Sequence, residues 1–192
     1  MAQEYHLDYV PAGPGGLLID CGANVGELGF WARAKGMDYV AFEPEGLEAR
    51  CIDLNIYGGE QKTIRKALWN RNTTLEFFSK PETADGSVID PGGTATRFSV
   101  DAVRLDTVVD LTDRRAPIIL KVEAEGAEPE ILEGAESLLA AIDFVTVDCG
   151  PERGYEQAHT LVETNNLLLD AGFRLLQFGP RRMTALYFNA NR

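Results

Sequence analysis

Short apolar runs alternate with amphipathic stretches along most of the chain. Leu17–Cys21 (LLIDC) is a compact apolar run that ends in an acid and is followed by glycine. Over residues 25–35, Leu28, Trp31 and Ala32 recur at helical spacing, and Gly36 supplies a stop. Residues 38–43 (DYVAFE) predict a second strand. Residues 45–57 predict a second helix with Leu47, Cys51 and Leu54 on one face and Gly58-Gly59 at its end. Residues 62–69 read as a third strand, and 74–79 alternate as an edge strand. Ile118–Val122 (IILKV) is a near-continuous apolar strand. The helix predicted over 127–142 has Ala127, Ile131, Leu132, Ala135, Leu138, Leu139 and Ile142 as its stripe, with Glu128, Glu130, Glu133 and Glu136 away from it. A strand over 144–149 and a helix over 155–171 follow, with Ala158, Leu161, Val162, Leu168 and Leu169 inward. Residues 173–178 and 183–188 read as a terminal antiparallel hairpin around Gly179-Pro180-Arg181-Arg182.

Strand–helix alternation with fully apolar strands predicts an α/β fold: a doubly wound, mostly parallel sheet with helices on both faces. Residues 1–16 form an irregular lead, and 17–192 form a single domain. Residues 80–97 break the pattern, with Pro81, Gly86, Pro91, Gly92 and Gly93 and few apolar positions. They predict a flexible loop, either a lid over an acceptor site or a surface insertion.

Composition narrows the function. With 18 basic and 30 acidic residues in 192, the net charge is −12. A field of that sign repels phosphate backbones and anionic bilayers, so neither nucleic acid nor membrane is an expected partner. Three scattered cysteines without a CxxC pair exclude a disulfide framework and a zinc ribbon, and fit a reduced cytoplasm. The lead has no signal-peptide pattern.

In an open α/β sheet, ligands sit at the carboxyl ends of the strands. After the first strand stand Asp20, Gly22, Asn24 and Gly26. Asn24 takes the place of the middle glycine that admits a pyrophosphate in dinucleotide-binding folds. Asp20 repels phosphate but suits an ammonium group. Glu43, ending the second strand, can accept both hydroxyls of a ribose. The set points to an adenosine ligand without phosphates. A Rossmann oxidoreductase using NAD is the competing reading.

Three stretches, LLIDCGANVGELGF at 17–30, VAFEPEGLEA at 40–49 and ILKVEAEGAEPEILEGAESLL at 119–139, resemble the FkbM family of class I S-adenosylmethionine (SAM)-dependent methyltransferases. The third is similar to the family's K-I-D-V-E-G-A-E signature, with Glu123 in place of its Asp. The resemblance implies a seven-stranded sheet ending in the antiparallel hairpin, and O-methylation of a hydroxyl on a small molecule, sugar or glycan. It places Asp20, Gly22, Asn24 and Gly26 around the amino-acid part of SAM, Glu43 on the ribose, and Ala67 and Leu68 beside adenine. Family members commonly carry more N-terminal structure, so the acceptor side here is either more open or completed by another subunit of a homo-oligomer.

Methyl transfer to a hydroxyl needs a proton acceptor or a metal. Glu123, Glu125 and Asp148 stand at the ends of adjacent strands. They could supply one base, hold a divalent cation through oxygens, or be structural, with Glu125 capping the next helix. A catalytically inactive SAM-binding partner module is the remaining alternative. Lys121 is expected either to pair with a neighbouring acid or to lie near the strand's solvent end, His159 to lie at the surface or its boundary, and Arg181 and Arg182 to keep the hairpin turn solvated.

Overall fold

Five consecutive buried residues, Leu17–Cys21, form the interior strand β1. The computed structural model describes residues 1–80, 85–114 and 117–192. After β1 the chain runs through α1 (Glu27–Ala34), β2 (Asp38–Phe42) and α2 (Gly46–Asn55). It continues through β3 (Ala67–Leu68), β4 (Thr73–Lys80), β5 (Asp85–Ser87) and β6 (Thr96–Val103). It returns through β7 (Ile118–Val122), α3 (Glu128–Glu133), α4 (Glu136–Leu139), β8 (Phe144–Asp148), α5 (Leu161–Asp170), β9 (Phe173–Gly179) and β10 (Thr184–Asn189). The main sheet has the order β2-β1-β7-β8-β10-β9. Its first four strands are parallel, and β10 enters antiparallel between β8 and β9. The strand order reverses direction between β1 and β7, and a ligand crevice is expected outside their carboxyl ends.

The doubly wound class and the terminal hairpin match the sequence reading, but the main sheet has six strands rather than seven. Residues 62–69 do not form a strand along β2; only an isolated parallel bridge joins Phe42 and Ile64. The cause is Asp53 on α2, a fully buried carboxylate. Its Oδ1 accepts from Lys62 N (3.1 Å), Thr63 N (3.0 Å) and Thr63 Oγ1 (2.7 Å), taking amides that a strand would give to a neighbour. Beyond it, β3 pairs with β6 in a second, four-stranded sheet of order β3-β6-β4-β5. The strand β6, opposite β4 from Thr73↔Ala102 to Ser79↔Thr96, has no counterpart in the sequence reading.

Asp53 also hides the buried face of α2. The inward stripe is Ala49, Ile52, Asp53 and Ile56, at helical spacing, whereas Leu47 and Leu54 are exposed. The same effect recurs on α5, where Thr160, Thr164 and Leu168 turn inward and Val162 and Leu169 face out. The long helix expected over 127–142 is divided at Gly134, where any Cβ would lie 2.0 Å from the Trp69 carbonyl oxygen. Within the expected 80–97 loop, Asp85–Ser87 pairs with the end of β4, and Ser87 is buried. That part of the segment is the returning arm of a hairpin; residues 81–84 of the expected loop lie outside the described residues. In the lead, Tyr5 and Leu7 are fully buried against the sheet. No helix among the described residues is long and apolar enough to cross a membrane.

Burial works against the Asp53 anion, but its three hydrogen bonds and Arg65 outweigh this and hold the carboxyl below the ordinary aspartate range. A depressed native value contributes stability above the unfolded pKa of about 3.9, and that stability is lost as pH falls through the native value. We expect Asp53→Ala to cost about 1–3 kcal/mol in urea unfolding at pH 7, since it strands buried donors. Asp53→Asn, which keeps the acceptor oxygen, should lose less. Equal midpoints for the two variants would show that Asp53 does not organise this turn.

Candidate functional site

A cleft of about 290 Å³ opens at the carboxyl ends of β1 and β7. All the sequence-derived site residues line it except Gly26 and Asp148. Its floor is the loop after β1. Gly22 (φ +69°), Asn24 (φ +48°) and Gly26 (φ +86°) are all in the left-handed region, which coils the loop tightly. The glycines meet protein rather than open space. A Cβ on Gly22 would lie 1.9 Å from the Glu123 carbonyl oxygen, and one on Gly26 would touch Ile52 and Ile56 of α2. Gly26 therefore lies behind the loop, where it allows α1 to pack on α2.

Glu43 is the carboxylate best placed for a ligand. It is only 6% exposed, and each of its oxygens accepts one backbone amide: Oε2 from Asn24 (2.9 Å) and Oε1 from Glu45 (2.9 Å). A carboxylate offers about four lone-pair sites, so acceptor capacity remains on both oxygens. Burial pushes its carboxyl up to about 7, against the pull of these two amides. Ala67, Leu68 and Phe77 supply an apolar wall beside it.

Asp20 behaves differently. Its Oδ2 accepts from the Tyr39 hydroxyl (2.7 Å), and the Lys121 ammonium sits 3.0 Å from Oδ1. Burial still raises its pKa, with Lys121 and Tyr39 opposing. The carboxylate is thus committed to the protein, and it acts on a ligand through its charge and through the loop it anchors. Lys121 is the hub: it is 2% exposed, donates to the Cys21 (3.0 Å) and Gly22 (2.6 Å) carbonyls, and lies 3.2 Å from Glu123. The expected ion pair of Lys121 is present, with two acids rather than one.

The three acids proposed as catalytic do not act alike. Glu123 lies 2.7 Å from Arg182 as well as near Lys121, and the Tyr5 hydroxyl faces it. Burial disfavours its anion, but Lys121, Tyr5 and Arg182 outweigh burial and hold the carboxyl below the ordinary glutamate range. Asp148 lies behind Arg182, 2.9 Å from it, and also accepts from the Gly150 amide (3.1 Å). Arg182 therefore fills the space between Glu123 and Asp148 where a cation would sit. It stays exposed on the hairpin turn, as its position in the sequence predicts, while also making these ion pairs. Glu125 (φ +51°) and Gly126 (φ +99°) form the turn after β7. Glu125 does not cap α3, which has no side-chain cap; instead Glu128, a buried acid in its first turn, reaches back to the preceding loop. Its Oε1 accepts from Ala124 (3.0 Å) and Gly126 (3.1 Å), and its Oε2 accepts from Thr160 (2.8 Å). The K-V-E-A-E-G-A-E stretch thus pins the first loop with its Lys and closes its own turn with its last Glu.

Tyr5, Arg182 and Glu152 also line the cleft, and each stands in a segment without a periodic pattern. Glu152 follows β8 on a turn, and burial together with the charges of Asp148, Glu128 and Glu123 raises its carboxyl to about 7. The β4–β5 hairpin covers one side through Phe77, Gly86, Ser87 and Val88. It is tied down at two points: Ser79 Oγ donates to Glu45 (2.9 Å), and Ser87 Oγ donates to the Glu125 carbonyl (2.9 Å).

Among solved structures, a SAM-dependent methyltransferase from Aquifex aeolicus superposes with a TM-score of 0.51 at 14% identity, covering 96% of this chain and 87% of that one. A TehB-like SAM-dependent methyltransferase from Corynebacterium glutamicum ATCC 13032 Kitasato gives 0.50 at 12% identity, covering 97% and 86%. At these identities the likeness establishes the fold. No protein of curated function is significantly similar in sequence. The family model of the methyltransferase FkbM domain, however, matches residues 20–175, a span running from the carboxylate at the end of β1 into β9. With that match over most of its length, the chain belongs to the FkbM methyltransferase family.

Proposed function

We propose that the protein binds SAM in the β1–β7 cleft and transfers its methyl group to a hydroxyl of a small molecule, sugar or glycan. The observation that carries the cofactor reading is Glu43, a nearly buried carboxylate with unused acceptor sites facing the cleft, where a ribose diol can donate to both oxygens. SAM brings an electrophilic methyl on a sulfonium; the chain's residues bind, orient and exclude water. The apolar wall of Leu68 and Phe77 suits adenine, and the loop of residues 22–26 suits the amino-acid end. Ala67 stands in the same wall.

The NAD alternative fares worse on charge. A pyrophosphate would sit at the amino end of α1, where Glu27 stands instead, with Glu43, Glu45 and Glu48 lining the same cleft. The same acidity argues for an uncharged acceptor and against nucleic acid. No group of three or more metal-ligating side chains is arranged to hold an ion among the described residues, and the proposal assigns no metal.

Isothermal titration with S-adenosylhomocysteine and, separately, NAD tests this reading. We expect the thioether to bind and NAD to give no heat. Glu43→Gln should weaken S-adenosylhomocysteine about tenfold or more, since a hydrogen bond to a charged group contributes about 1.5–3 kcal/mol. Tight NAD binding without a response to S-adenosylhomocysteine would overturn the proposal. Methyl transfer to any acceptor would eliminate the inactive-module alternative.

A further inference from the structure

Beside the main cleft lies a second recess of about 90 Å³, between the β4–β5 hairpin and the loop after β8. The two hollows share four residues: Gly86, Ser87, Glu125 and Glu152. The smaller one adds Phe78, Lys80, Pro91, Pro151, Gly154 and Gln157, so its wall is apolar faces with one amide and one cation. A bound methyl donor in the main cleft and an acceptor in the recess would meet at this boundary.

We propose that the recess is the acceptor subsite, that it takes a neutral polyol, and that Glu152 is the base that receives the hydroxyl proton. The inference rests on the hydroxyl-transfer reading above and deepens it. Three observations support it. Glu152 and Glu125 are the ionisable groups on the shared boundary. Glu123 and Asp148 are both engaged by Arg182, and Glu123 also by Lys121. The Glu152 carboxylate is held close to Asp148: both lie near where a Cβ on Gly150 would stand, at 3.1 and 3.2 Å.

The charged groups around Glu152 come from several elements: Asp148 ends β8, Glu123 and Glu125 follow β7, Glu128 opens α3, and Lys80, ending β4, lines the same recess. Burial, with the charges of Asp148, Glu128 and Glu123, raises its carboxyl to about 7, so it is an effective proton acceptor near neutrality, unlike Glu123. In the transfer, the acceptor oxygen bonds to the methyl carbon while the S–C bond breaks. The electron pair of that bond stays on sulfur, giving the neutral thioether, and the hydroxyl proton passes to a Glu152 oxygen. An anionic acceptor would meet Glu125 and Glu152 at the boundary and be repelled.

The test uses the full chain, methyl-labelled SAM, and glycerol with a set of methyl hexopyranosides as acceptors. Wild type should label at least one polyol, with a rate that rises through a midpoint near pH 7. Glu152→Gln should lower kcat by about a hundred- to ten-thousand-fold and abolish the rise near pH 7, with S-adenosylhomocysteine affinity unchanged. Glu152→Asp should retain part of the rate and its pH dependence. Labelling by Glu152→Gln at the wild-type rate, or with the rise intact, would overturn the role of Glu152 alone. No labelling of any polyol by wild type that still binds S-adenosylhomocysteine would overturn the hydroxyl-transfer reading and the subsite with it.

Discussion

Lys121→Met should unfold at markedly lower urea concentration than wild type, by about 3–5 kcal/mol at pH 7. Methionine keeps the length and the apolar stem of the side chain, so packing changes little. What it removes is the single ammonium among Asp20, Glu123 and the Cys21 and Gly22 carbonyls. Asp20, 1% exposed, is then left with the Tyr39 hydroxyl as its partner, an uncompensated charge in the middle of the sheet. Domains of this size are stable by about 5–15 kcal/mol, so the loss is a large fraction of the whole. The deficit should shrink toward acid pH. Without Lys121, Asp20 binds a proton in the native state at pH values where the unfolded chain has released it, so stability falls as pH rises through that window. Combining Asp20→Asn with Lys121→Met should restore part of the loss, a coupling readable in a double-mutant cycle. A single Lys121→Met variant within 1 kcal/mol of wild type would show that the pair contributes little.

This network explains which parts of the site could be read from the sequence. Glu43 and the 20–26 loop stand at strand ends, and strand ends are legible because the apolar runs before them are unbroken. Arg182 and Tyr5 were not legible. Each comes from a segment with no period, and each reaches the cleft because the tertiary fold brings the terminal hairpin and the lead to the same sheet edge. Both lie over that edge together, with the Arg182 guanidinium 5.9 Å and the Lys121 ammonium 5.4 Å from the Tyr5 ring centre. The helices were legible in position and misread in face, for one physical reason. Asp53 and Thr160 are polar residues hydrogen-bonded inside the fold, and Thr164 is buried beside them, so a stripe drawn from hydrophobic residues alone rotates away from the true one. The second sheet was legible in part: β6 alternates Arg97, Ser99 and Asp101 with Phe98, Val100 and Ala102, the last two buried, but its first half lies exposed and continues out of the glycine- and proline-rich segment that masks its start.

Gly22→Ala should be the more damaging of the two glycine substitutions in the first loop, and its effect on the site should follow from its effect on the sheet. The Gly22 amide donates to Phe42 O (3.1 Å) at the end of β2, and its carbonyl accepts from Lys121. The residue thus joins β2 to β7 across β1. An alanine there meets two penalties. Its φ of +69° costs an L-residue about 1–2 kcal/mol. Its Cβ would stand 1.9 Å from a backbone oxygen, that of Glu123, which cannot rotate aside. Relieving that overlap by moving the end of β7 adds about 1–3 kcal/mol and shifts Glu123 and Glu125 together. Gly26→Ala has a similar φ, +86°, but its Cβ would meet Ile56 and Ile52 side-chain carbons at 3.2 and 3.4 Å, which can yield by small rotations. We therefore expect Gly22→Ala to lose about 2–5 kcal/mol in urea unfolding and to bind S-adenosylhomocysteine poorly. Gly26→Ala should lose about 1–2 kcal/mol and keep most of its affinity. If Gly26→Ala proved equally destabilising, the loop would be governed by its contact with α2, and the close approach of Gly22 to β7 would not be what holds the cleft open.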